Sequence, residues 1–385
     1  MVKMKKWISK YGSYVVSIVL GWIIGSLDNF DIWIMFGDTP FLLVLFVFWG
    51  VMYLLLLLNI FIHEAGHYFF GRISGYTLVS FRVKKWIFIK EDDKIVLKRF
   101  NVPGISGACL MMPPQPFRED FPYKLYNHGG WIFNLITFAI LSVILLFVPM
   151  GLELTALLYF FALIALSLAL SSGIPLKTRG YPNDGYDTRS MKKSADCRRA
   201  FYMQMYIHGV FVSGVRLEDM PEEWFQHPES ADSSKPLIAT LDEFRCFRAF
   251  GKGETEEATR FAYELIQRPG LVEFQRNELR CVLLFNEVLS ECRPEVIHSL
   301  YTKPLQKYIR RTSYMPARHR LTYALEKIYY RDDEKAMKAK KKFEKSLKAF
   351  PYRVEIEIEK KAMEEIDERA LKSREQLSHI IIQGL

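Results

Sequence analysis

Between Phe41 and Ile62 the chain runs through 22 residues without a charged side chain, and the run ends directly in His63-Glu64-Ala65-Gly66-His67. As a helix, a stretch of that length crosses the ~30 Å hydrocarbon core of a bilayer. Three further apolar stretches stand out: Tyr11 to Leu27, which is short for a span, Gly130 to Val148, and Leu154 to Ser171. Four spans are therefore expected.

Charge patterning orients them. The loop after the first span carries Asp28, Asp31 and Asp38 and no Lys or Arg, and the turn between spans three and four carries only Glu153. The N-terminus (Lys3, Lys5, Lys6, Lys10), the long loop after span two and everything after span four carry the basic residues. The positive-inside rule then places both termini in the cytoplasm of a multi-pass cell-membrane protein. The N-terminal basic segment reads as a signal anchor, not a cleaved signal, because no small-residue cleavage site follows Gly25.

The mean hydropathy of +0.02 would suit a soluble protein, but it averages an apolar first half with a charged second half. At 50% hydrophobic the chain is too apolar for disorder. The net charge of +9 is largely this topological bias, so no nucleic-acid partner is expected. Five scattered cysteines, an odd number without a CxxC, argue for reduced thiols and against a disulfide framework.

On a helix, positions i and i+4 share a face, so His63 and His67 can bind one metal ion while Glu64 sits beside its water. A zinc ion lowers the pKa of that water, and a carboxylate can take its proton. Ionisable residues in a membrane helix are costly and mark function. Two histidines leave the site one ligand short. Asp184, in Tyr181-Pro182-Asn183-Asp184-Gly185-Tyr186-Asp187 after span four, is the candidate, expected on a fixed loop. Asp187 and Asp120 are rivals.

These residues resemble the site-2 protease family of intramembrane zinc metalloproteases. The family carries HExxH in one span and an Asn-x-x-Pro stretch leading into Asp-Gly at the end of a later one. Here Ile174-Pro175 precedes Asp184-Gly185, with Ser172 where the family has Asn and a longer spacing from Pro175. The resemblance implies one zinc ion held by His63, His67 and Asp184, with Glu64 as general base. It also implies that Asn134, in Gly129-Gly130-Trp131-Ile132-Phe133-Asn134, holds the substrate carbonyl or oxyanion; an interhelical hydrogen bond is the plain alternative. The likeness covers roughly Phe41 to Ser190, without the PDZ module common in relatives. It implies a zinc metalloendopeptidase whose substrate is a membrane-spanning or membrane-associated peptide. Maturation of a small secreted signalling or bacteriocin-type peptide is favoured over regulated cleavage of a membrane-tethered transcription regulator. A non-catalytic scaffold is the rival from another class, and the intact Glu64 argues against it.

Between spans two and three, Trp86 to Ile89 and Ile95 to Leu97 flank a charged turn and read as a β-hairpin. Val102 to Pro116, rich in Gly and Pro, is expected as a re-entrant loop beside the site. An edge strand there could hold an unwound substrate by strand addition, along Phe81 to Lys85 or Ile95 to Leu97.

The fold expected is thus mainly α. Residues 1–190 form the transmembrane metalloprotease domain, 191–234 a linker with connecting helices, and 235–385 a helical cytoplasmic domain. In the last, helices are expected at Leu237–Phe250, Glu254–Gln267, Val272–Leu289, Pro294–Ile309, Ala317–Tyr330, Asp333–Ala349 and Tyr352–Arg369. They suggest a helical hairpin array able to bind a protein partner. The basic run Lys335 to Lys348 reads as a solvated helix face, with contact to anionic lipid as a second reading.

Overall fold

The structure, a computed structural model, describes residues 40–91, 94–102, 106–177 and 182–383. The expected first span, the acidic loop after it and the Asp92-Asp93 tip of the hairpin lie outside the described residues. Helices dominate, with thirteen α-helices and four strands among the described residues. The chain divides into two compact units: one holds the described residues up to Val83 together with Ser106–Arg198, the other Lys84–Ile105 with Arg199–Leu385.

In the first unit three helices pack together: α1 (Phe41–Ile73), α2 (Tyr123–Phe147) and α3 (Leu152–Gly173). Each is long and apolar enough to cross a membrane. Their outer faces expose large apolar side chains such as Phe46, Trp49, Leu54, Leu146 and Phe147. Water would penalise such faces, and lipid accepts them. Because lipid gives little hydrophobic drive between helices, the contact must come from close backbone approach. Gly66 on α1 and Gly129 on α2 supply it: a Cβ on Gly66 would lie 2.2 Å from the Gly129 carbonyl oxygen, and one on Gly129 2.4 Å from that of Gly66. At 33 residues, α1 continues well past the uncharged run and carries the whole His63–His67 motif within its last turns.

Beside these helices, β1 (Thr77–Val83) pairs antiparallel with β4 (Gly107–Met112). This corrects the re-entrant expectation, because the middle of the segment read as irregular loop is a strand. The Tyr126 hydroxyl on α2 fixes it by donating to the Cys109 carbonyl at 2.6 Å.

In the second unit, β2 (Trp86–Glu91) and β3 (Lys94–Arg99) form the expected hairpin. Its apolar face, Ile87 and Ile89, is buried with Phe100 and Phe350, so the hairpin packs with the C-terminal part of the chain. Ten α-helices follow α3 among the described residues. α4 (Asp184–Lys193) belongs to the first unit and α5 (Ala195–Val212) begins in it; the second unit holds α6 (Pro236–Gly251), α7 (Thr255–Gln267), α8 (Glu273–Leu289), α9 (Pro294–Leu300), α10 (Lys303–Arg311), α11 (Pro316–Ala324), α12 (Asp333–Ala349) and α13 (Arg353–Gln383). The helix expected over Pro294–Ile309 is two, because Pro304 lacks the N–H the helix would need. The segment expected as a linker is packed: Met220, Phe225 and Ala231 are buried. One continuous apolar core runs from Ala239 to Ala370, and all five cysteines are free thiols.

Glu243 lies within this unit, 5% exposed, and accepts from the Gln275 amide at 2.6 Å. Burial, reinforced by the charge of Glu278 against that hydrogen bond, pushes its carboxyl up to about 8. A folded pKa above the unfolded value means that the folded state keeps the proton longer, so stability falls as pH rises through that window. The thermal midpoint should drop between about pH 5 and 8, and Glu243→Gln should flatten part of that slope in a pH series of thermal melts.

Candidate metal centre

The i, i+4 spacing sets His63 and His67 on the face of α1 that meets α2. Their Nε2 atoms lie 3.3 Å apart, and each is 3.5 Å from Asp184 Oδ2. The three form a group able to hold a metal ion. Asp187 and Asp120 do not join it. Asp120 is exposed at the surface beside Arg118. Burial and the neighbouring charge of Asp184 push the Asp187 carboxyl up to about 7.

Hydrogen bonds behind the rings fix which nitrogen faces the centre. Tyr126 offers His67 Nδ1 a carbonyl oxygen at 2.8 Å, which can only accept, so Nδ1 carries the proton. Asn134 Nδ2 donates to the Asn59 carbonyl at 3.1 Å. Its Oδ1 is therefore the atom 2.7 Å from His63 Nδ1, and that nitrogen donates too. Both Nε2 lone pairs then point at one another and at a carboxylate oxygen. Three electron-pair donors at this separation repel unless a proton or a metal ion sits among them. Tetrahedral zinc with bonds of ~2.0–2.1 Å needs ligand atoms about 3.3 Å apart, and the observed separations match that edge.

Space at the centre is kept by Gly130. A Cβ there would stand 2.4 Å from His63 Nε2 and 2.6 Å from His67 Nε2, inside the space a metal would take.

Asp184 reaches the histidines from a different element than expected. It is the first residue of helix α4, not part of a loop. Asn183 makes that helix start: its Oδ1 accepts from Tyr186 N at 2.9 Å, an N-cap, and from Leu176 N at 3.0 Å. Its Nδ2 donates to the carbonyls of Ser171 and Ile174, which clamps the helix start to the end of α3. The Ser172 hydroxyl donates to Asp184 Oδ2 and so fixes the oxygen that faces the two histidines. Burial opposes ionisation of Asp184, and the two histidines outweigh it and hold the carboxyl below its ordinary range.

Glu64 is buried, one residue along from His63. The backbone of Cys109 on β4 hydrogen-bonds to it. Gly107 brings that strand close, since a Cβ there would fall 2.4 Å from Glu64 Oε1. Pairing on one side with β1, β4 has no strand on its other side among the described residues. The strand beside the acid is thus β4, not the Phe81–Lys85 or Ile95–Leu97 segments.

Asn134 is fully buried and makes interhelical hydrogen bonds to α1. Sequence reasoning missed Asn59 and Asn183. Asn59 is the one amide in an apolar run, four residues before His63, and Asn183 is a cap-forming residue ahead of Asp-Gly. Each carried a readable signal.

No family model, no curated protein and no solved structure matches the chain. The geometry predicts that Gly130→Ala strips the metal by filling its place, and that Asn134→Ala weakens metal affinity by roughly 10- to 100-fold through the loosened His63 ring. Metal content of the purified proteins by plasma mass spectrometry, and chelator competition, check both.

Proposed function

We propose that this chain is a zinc metalloendopeptidase of the site-2 protease type, hydrolysing a peptide bond in a membrane-embedded or membrane-associated peptide. The observation that carries the reading is the convergence of His63 Nε2, His67 Nε2 and Asp184 Oδ2 at 3.3–3.5 Å, with the buried Glu64 adjacent in sequence. A metal held by three protein ligands keeps a fourth position for water, the hallmark of a catalytic rather than a structural zinc site. When bound, zinc would supply Lewis acidity to a scissile carbonyl and to the attacking water.

The chain's own residues do the rest. Glu64 takes the proton of the attacking water and passes it to the leaving amine. Asn134 and the Tyr126 carbonyl keep both imidazoles oriented with Nε2 toward the centre, and Ser172 holds the Asp184 oxygen. The Cys109 backbone of β4 is already bonded to Glu64 and to the Tyr126 hydroxyl, so a substrate helix that unwinds there would exchange its own hydrogen bonds for strand pairing with the other backbone groups of β4. In this reading the three apolar helices, with a fourth N-terminal to them, place the site in the membrane, and both termini are cytoplasmic. A small secreted peptide is the substrate class we favour over a membrane-tethered regulator.

Glu64→Gln is the direct test, in proteoliposomes with a panel of single-span peptides. The variant should keep its zinc and lose cleavage by at least ~10²-fold, the lower range of general-base catalysis. Cleavage undiminished in Glu64→Gln would refute the mechanism, and loss of zinc along with activity would assign Glu64 a structural role.

A further inference from the structure

The second unit holds a groove of about 1250 Å³ that the proposed proteolysis does not use. The hairpin end forms one side, at Lys85, Arg99 and Phe100, and α10, α11 and α12 form the others. Nine of its lining side chains are Lys or Arg, and a single one, Glu326, is acidic. The basic run read from sequence as a solvated face supplies four of the nine. Lys335, Lys338, Lys342 and Lys345 follow a 3-4-3 spacing, so they stand on one ridge of α12 and all line the groove. Ala336 and Phe343 turn another face of the same helix into the core.

Some of this charge is already matched. Arg318 pairs with Glu278, Lys335 with Asp332, and Lys338 with Glu334. Arg99, Arg310, Arg311, Lys342 and Lys345 have no ion pair among the described residues. Five unmatched cations around one concavity repel each other and destabilise the fold unless an anion enters. Arg310 and Arg311 offer planar forks that fit phosphate oxygens two at a time, and the lysines add point charges. Ser313 adds a hydroxyl, whereas the hydroxyls of Thr322 and Ser346 donate to the Arg318 and Phe343 carbonyls of their own helices.

We infer that this groove binds a ligand carrying several phosphate groups. A phosphate brings up to two negative charges and three acceptor oxygens in the space where a carboxylate brings one charge. The charge density of the lining therefore favours phosphates over an acidic peptide. The groove is also larger than a single phosphate requires and matches small-molecule sites in scale.

Isothermal titration calorimetry on the full chain in an uncharged detergent tests this, with inorganic tripolyphosphate, ATP and a soluble short-chain phosphatidylinositol bisphosphate as probes. Saturable binding of tripolyphosphate or ATP supports a free phosphate ligand; saturable binding of the phosphatidylinositol bisphosphate alone supports the same chemistry on a lipid headgroup. In either case Arg311→Glu/Lys342→Glu should weaken binding at least about tenfold, since two charge-assisted contacts become repulsive. Lys360→Glu/Lys361→Glu, an equal charge change on exposed α13, should leave it within about twofold. If the reversal variant does not fold, Lys342→Ala/Lys345→Ala replaces it. No binding of any probe, equal weakening by both pairs of substitutions, or tighter binding of an oligoglutamate than of tripolyphosphate would overturn the inference.

Discussion

Two imidazole lone pairs and a carboxylate oxygen are held facing one another at 3.3–3.5 Å. Nothing in a protein holds such an arrangement cheaply without a cation between the donors. Much of the first unit's construction follows from that demand. The α1–α2 crossing must be tight enough for a glycine backbone to lie against the rings, and Gly66, Gly129 and Gly130 make it so. The ring orientations must be locked, and a main-chain carbonyl and a buried asparagine lock them. Asp184 comes from a separate helix, whose starting point is fixed by the capping bonds of Asn183, and Ser172 holds its oxygen.

Placement in an apolar helix strengthens each of these bonds. In a low-dielectric setting a hydrogen bond or an ion–dipole contact is stronger than in water, and an unmatched polar group is correspondingly more costly. Asn59 illustrates this: its amide donates to Leu55 O at 3.1 Å and to Phe161 O at 3.3 Å, tying α1 to α3, and its carbonyl receives Asn134. A polar chain through three apolar helices thus ends at the His63 ring.

Much of this was legible in the sequence. The uncharged run gave the long helix and the i, i+4 histidines gave the shared face, while Asp184 is favoured over Asp187 and Asp120 by its place after the last apolar stretch and by the family resemblance, and it is the one that meets the histidines. Alternation around a charged turn gave the hairpin, and periodicity gave the long C-terminal helices. What failed did so for identifiable reasons. A Gly- and Pro-rich segment looks irregular until a partner strand exists, so β4 was invisible without β1. Asp-Gly reads as a turn unless the preceding Asn is recognised as a cap. The hairpin's packing partner, Phe350, is over 250 residues away, and no local pattern announces it. The lysines of α12 read as solvent-facing because the arginines they line up with belong to other elements.

The central claim is that His63, His67 and Asp184 form one coordination sphere with a position left open. X-ray absorption at the zinc edge of the purified, zinc-loaded chain addresses this directly. The account predicts one zinc per chain, two imidazole nitrogens and oxygen donors at ~2.0–2.2 Å, and a total coordination of four. A sulfur shell near ~2.3 Å, a single imidazole, or a six-oxygen sphere would contradict it.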